Sequence, residues 1–224
     1  LTLKCNYRSG RNIYQVAKIL REKVDVMLGG ERTPDSIVRS EFVGQPPHFS
    51  AYNSEQIELE KVAKSIQDLI KEEKETVKLE DIGVLCRSKE SLTRLQQLLK
   101  EVGVSSRLSD RTNLRSADRV TLLNMHLAKG TTFRNIFIIA AGKRSHPHEF
   151  ALQAASGEEE LKQVISNERA LLYVAMTRAR ETLSLSWSGA TSPFIEEILD
   201  SKTKFTFDDQ RPDDWASDAD HIQF

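Results

Sequence analysis

Short apolar runs alternate with segments of helical period along most of this chain, and that alternation excludes most folds. Ile82–Cys86 is apolar almost without a break, and Val120–Asn124 and Asn135–Ala140 are strong strand candidates on either side of a polar loop. A strand without polar alternation needs cover on both faces, which a parallel sheet clad in helices supplies. The segments between supply the helices. Ile13, Val16, Ala17, Leu20, Val24 and Met27 keep helical spacing after a capping Ser9. Leu59, Val62, Ala63, Ile66, Leu69 and Ile70 do so from a start near Asn53 or Ser54, and Leu92, Leu95, Leu98, Leu99 and Val102 after a capping Ser88. Parallel neighbours need crossovers of about a dozen residues, and most connections are that long. The expectation is an α/β fold with a mostly parallel sheet and helices on both faces.

The remaining stretches fill in the order. Leu1–Cys5, Phe49–Tyr52 and the weaker Val104–Leu108 are strand candidates, and Glu31–Pro47 is loop-like. A long helix is predicted over Glu158–Arg180, followed by a strand over Thr182–Trp187. Ser192-Pro193 opens a short helix to Leu199. From Ser201 to Phe224 the chain is Asp-rich with little periodicity, so residues 1–200 are expected to form the domain and 201–224 a loose acidic tail. The chain opens at Leu1, inside a strand pattern and without Met, as a piece of a longer protein would.

A formal net charge of -1 hides an asymmetry. Arg111 to Arg144 contains seven Lys/Arg and one acid, Asp118, whereas Asp200 to Phe224 contains seven Asp. A basic middle suits an anionic partner at one face. Cys5 and Cys86 stand far apart, without metal spacing, and are expected as small core residues in a reducing, cytoplasmic setting. No run is long enough for a membrane span, and no membrane partner is expected. His146-Pro147-His148 lacks metal-site spacing and is expected in a loop, so no metal site is assigned.

Three segments carry chemistry. Asn6-Tyr-Arg-Ser9 lies between a strand and a helix start; Tyr7 offers a ring for stacking and Arg8 a fork for phosphate. Val120–Phe133 runs an apolar strand into His126, Lys129 and Gly130, a donor, a point charge and a tight turn. Asn167–Arg180 carries Thr177-Arg178 to the lip of a sheet, where a guanidinium can be held rigidly toward phosphate. Each has a plainer explanation: a capped helix start, an exposed loop, and basic complementation of a helix C-terminus, which accounts for Arg180 better than for Arg178.

Together, in order and in context, the three resemble the UvrD/Rep-type superfamily-one helicases. Asn6–Ser9 resembles motif IV, His126-Leu-Ala-Lys-Gly-Thr-Thr-Phe133 resembles motif V, and Glu168–Ala179 resembles motif VI. Ile82–Ser88 is similar to the Val-Leu-x-Arg stretch found between motifs IV and V. The resemblance implies a second RecA-like domain, which closes on a triphosphate held by an N-terminal RecA-like domain of the same protein. By similarity, Arg8 and Arg178 are the catalytic arginine fingers. Tyr7 stacks on adenine, and Lys129, Gly130 and Thr132 complete the ATP-binding set. Arg87, Ser88, Asn124 and His126 contact single-stranded DNA, mostly at phosphate. The implied cofactors are ATP and Mg2+, with the Mg2+ ligands on the N-terminal half. No Gly-x-x-x-x-Gly-Lys-Ser/Thr loop occurs in this chain, so hydrolysis by it alone is not expected.

Two departures from the family pattern stand out. Thr132 replaces the acidic residue of motif V, and the large inserted subdomain before motif V is missing between Leu108 and Val120. They favour an alternative, a degenerate RecA-like module that binds protein or nucleic acid without ATP turnover. The retained Tyr7, Arg8, Lys129 and Arg178 oppose it. A helicase–nuclease fusion ranks last, since no cluster of nuclease carboxylates is present.

Overall fold

A computed structural model describes residues 5–6, 9–27, 39–40, 43–73, 75–110, 118–201 and 203–211. In chain order the elements are β1 (Cys5–Asn6), α1 (Arg11–Met27), β2 (Arg39–Ser40), β3 (His48–Tyr52), α2 (Glu55–Glu72), β4 (Ile82–Cys86), α3 (Lys89–Glu101) and β5 (Ser106–Leu108). There follow β6 (Val120–Asn124), β7 (Phe133–Ile138), α4 (Glu149–Gln153), α5 (Glu158–Met176), β8 (Ala179–Ser188), α6 (Pro193–Leu199) and β9 (Thr206–Gln210). Among the described residues one seven-stranded sheet has the order β5-β6-β4-β7-β8-β3-β9, and β1 pairs with β2 apart from it. Every pairing is parallel. The α/β architecture expected from the apolar runs is the one observed.

The apolar runs divide their side chains between two cores, because successive strand residues face opposite ways. Ile82, Val84, Cys86, Val120, Leu122, Phe137 and Ile139 pack with Leu59, Ile66, Leu92 and Leu95 of α2 and α3. Leu85, Leu123, Ile136 and Ile138 pack on the other face with Ile13 and Leu20 of α1, Leu172 of α5 and Ile195 of α6. Gly83 sits in the middle of β4 because a Cβ there would lie 2.7 Å from the ring of Phe133 and 3.0 Å from Ile136. Ser88 and Ser192 each cap a helix with a side-chain oxygen, as the sequence suggests, and of Asn53 and Ser54 it is Ser54 that caps α2.

Two expectations change. The long helix stops at Met176 rather than Arg180, because Ala179 pairs with Phe133 and the Phe133 N–H donates to the Arg178 carbonyl at 3.0 Å. Thr177-Arg178 is therefore a turn between helix and strand. The loose stretch expected from Ser201 gives way at Thr206–Gln210, which forms β9 against β3. Its anchors are Phe205, edge-on to Phe49 at 5.4 Å, and Phe207, stacked on Trp187 at 5.9 Å. Leu1–Lys4, Tyr7, Arg8 and residues 212–224 lie outside the described residues.

Candidate functional site

The candidate residues sort onto two opposite edges of the sheet. Parallel strands all point one way, and α5 must run back against them to reach the start of β8. Its C-terminal turn therefore lies at the amino edge, whereas Arg87 and Asn124, at the ends of β4 and β6, lie at the carboxyl edge. The stretch 125–132 joins the two, crossing from the end of β6 to the start of β7 under α5, with Met125 and Ala128 buried. The general rule that α/β folds bind ligands at the carboxyl ends of strands thus covers only half of the set.

At the amino edge Arg178 is only 6% exposed. Its Nε donates to the Val174 carbonyl at 2.9 Å, one terminal nitrogen to the Thr131 carbonyl at 3.3 Å and the other to the Thr177 hydroxyl at 3.2 Å. The short Nε bond fixes the stem of the side chain. The terminal contacts are long for charge-assisted bonds. Ser9, read as a helix cap, donates its hydroxyl to the Thr177 carbonyl at 3.1 Å, and the Gly10 N–H donates to the Arg180 carbonyl at 2.9 Å. Lys129 and Gly130 are exposed in a turn, where Gly130 has a φ of 89°, a conformation that suits glycine. The Thr132 hydroxyl donates to the Thr131 carbonyl at 2.8 Å, and the Thr131 hydroxyl to the Ala128 carbonyl at 2.8 Å. Arg178, Thr132, Thr131 and Ser9 thus meet at one edge, with Lys129-Gly130 on the approach to it.

At the carboxyl edge Arg87 donates to Glu168 Oε1 at 3.0 Å, and both side chains are about nine-tenths buried (10% and 9% exposed). Glu168 Oε2 accepts the His148 N–H at 3.1 Å. Asn124 donates from Nδ2 to the Arg87 carbonyl at 2.8 Å and accepts the His126 N–H at 3.1 Å. Burial, with the nearby Arg87 charge, holds the His126 imidazole below its ordinary pKa. Ser88 accepts the Ser91 N–H at 3.2 Å and so caps α3. Arg87, Asn124 and His126 are brought together; Ser88 is engaged with its own helix.

Sequence reasoning missed Glu168 as a member of this edge, along with Thr131 at the other. Glu168 stands four residues before buried Leu172 on α5, so helical spacing places its carboxylate on the inward stripe. Among the described residues no group of three or more His, Cys, Asp or Glu could hold a metal ion, and no helix is long and apolar enough to cross a membrane.

Comparisons with known proteins bear on the fold and the family. The chain is 40% identical over 67 residues to YjcD of Bacillus subtilis, provisionally named an ATP-dependent DNA helicase, covering 30% of this chain and 9% of the relative. It is 38% identical over 74 residues to the ATP-dependent DNA helicase UvrD2 of Mycobacterium tuberculosis, covering 33% and 10%. With the ATP-dependent DNA helicase PcrA of Staphylococcus epidermidis it shares 32% over 123 residues, covering 48% and 16%. The matched part is thus no more than about a sixth of these relatives. The solved C-terminal domain of a possible DNA helicase from Lactobacillus plantarum WCFS1 has the same fold. Its TM-score is 0.61 at 19% identity, over 91% of this chain and 99% of that one. The model of the UvrD-like helicase C-terminal domain matches residues 1–115 and 90–190, and the chain belongs to that family.

Proposed function

We propose that this chain is the C-terminal motor half of an ATP-dependent DNA helicase or translocase. Its amino edge supplies Arg178, with Arg8, to the γ-phosphate of ATP bound on an N-terminal RecA-like domain. Its carboxyl edge carries single-stranded DNA past Arg87, Asn124 and His126. The observation that carries the reading is the hydrogen-bonded junction of three distant segments at one edge: Ser9 to Thr177, Arg178 to Thr131, and Phe133 to Arg178. Ser9 adjoins Arg8 in sequence, which supports the approach of both arginines to one phosphate.

Phosphoryl transfer is accelerated mainly by positioned positive charge, and a finger is worth about 10³–10⁵ in rate. Delivery from a second domain makes that charge available only on closure, so turnover follows domain motion. Lys129 adds an exposed charge near the same edge. Thr132, whose hydroxyl is turned to its own backbone, offers the nucleotide less than an acidic residue would. ATP bound with Mg2+ supplies the transferable phosphoryl group, and the metal ligands belong to the other half.

The test is Arg178→Ala in the full-length protein. The expected result is a fall in kcat of about 10³ or more with ATP affinity changed far less. Turnover within tenfold of the parent would overturn the finger role. One observation favours the second reading, a binding module without turnover: the Arg178 guanidinium is buried and committed to protein acceptors. On that reading the full-length parent itself hydrolyses no ATP in the presence of DNA.

A further inference from the structure

We propose that Glu168 is a positioning residue that links the DNA edge to the arginine-bearing end of α5 and makes ATP turnover responsive to DNA. The inference rests on the function proposed above. Its carboxylate gathers the loops leaving three strands. Oε1 holds Arg87 after β4, and Oε2 holds the His148 backbone after β7. The segment after β6 joins through Asn124, which grips the Arg87 carbonyl and the His126 N–H. Both oxygens of Glu168 are thereby used, and the pair it forms is largely desolvated, so removing either charge disturbs the other strongly.

Arg87 is well suited to pass a signal through this contact. Among the described residues Glu168 is the only hydrogen-bond partner of its guanidinium, through one nitrogen. A guanidinium has five donors, so the 10% of the side chain that is exposed can meet a phosphate without first breaking the ion pair. A phosphate on Arg87 shares the charge that Glu168 sees and draws the β4–α3 turn toward the strand. Glu168 cannot follow alone, because it sits within the continuous helix Glu158–Met176. From Glu168 to the helix end at Met176 is about 12 Å at 1.5 Å per residue, and the turn that carries Arg178 follows directly. A tilt or shift of α5 imposed at Glu168 therefore moves the Val174 carbonyl and Thr177, which hold Arg178. One packed element touching both edges is the physical link that coupling requires.

The experiment is Glu168→Gln in the full-length protein, with ATP turnover measured with and without an oligothymidylate strand. The variant keeps the shape of the side chain and an acceptor for His148 but loses the charge. The expected result is that the ratio of DNA-stimulated to unstimulated turnover falls by about tenfold or more. A ratio within about twofold of the parent would overturn the proposal. So would an equal fall in both rates, which marks simple damage to the Arg178 end. Glu168→Asp, whose shorter stem cannot hold Arg87 and the His148 N–H together, should lose the same ratio if Glu168→Gln does not fold, and its retention would equally overturn the link. A parent protein with no DNA-stimulated turnover would overturn the proposed function instead, which keeps the two failures apart.

Discussion

His146 is fully buried, and among the described residues neither ring nitrogen has a hydrogen-bond partner. Burial, with Arg87 and then His148 nearby, pushes its pKa down to about 3. Unfolded, the same ring takes a proton at about 6.5. The unfolded chain therefore binds more protons through this window, and stability falls as pH drops from about 6.5 toward 3. Glu58 works the other way. Its carboxyl is buried, and burial raises its pKa against the opposing hydrogen bonds from Ser186 and the Ala140 N–H. The contribution of Glu58 is fullest below the ordinary carboxylate range and is lost as pH rises through its raised value. Urea midpoints across pH 4 to 8 should show a shallower acid slope for His146→Gln and, for Glu58→Gln, a smaller loss of stability as pH rises above the ordinary carboxylate range. Parallel slopes for parent and variant would remove the assignment. Neither role was legible in the sequence. His146 was expected in a loop, and Glu58 looks like one more charge on an amphipathic helix. Its partners in the core come from far along the chain, Ala140 at 82 residues and Ser186 at 128.

At the scale of elements, the strands and helices that bury apolar side chains were legible, because their period is imposed by the two cores. The errors fall where backbone pairing, rather than side-chain pattern, decides. The helical pattern runs on toward Arg180, yet Phe133 captures Ala179 for the sheet and turns Arg178 into a loop residue. Thr206–Gln210 is mostly exposed and acidic, so it carries no apolar alternation, but it completes the edge of β3. Its hold comes from two aromatic contacts. Phe205→Ala should lower stability by about 1–3 kcal/mol, given its partial burial against Phe49. Chemical denaturation checks this, and a loss under about 0.5 kcal/mol would mean that β9 is held by its backbone bonds alone. The partition of the candidate site between two edges was also not legible, because it depends on the direction of α5 relative to the strands.

Among the described residues the seven-stranded sheet has cover on both faces, and the candidate charges lie along its opposite rims. Nothing in the sequence shows a phosphate-binding loop. The 224-residue chain on its own should therefore hydrolyse ATP no faster than a protein-free blank, even with single-stranded DNA present. Steady turnover by the purified chain would overturn the composite-site reading. The same chain should bind single strands weakly and lose binding as salt rises, since phosphate contacts dominate.

The flanks of β3 have a consequence for synthesis. Both neighbours of that strand come from much later in the chain, and His48 waits for Thr206, 158 residues downstream. At ribosomal rates of about 5–20 residues per second, the delay is roughly ten to thirty seconds. Until β8 follows, with Ser184 136 residues behind its partner His48, Phe49 and Ala51 have no companion strand, as good a foothold for a chaperone as for a misfolded neighbour.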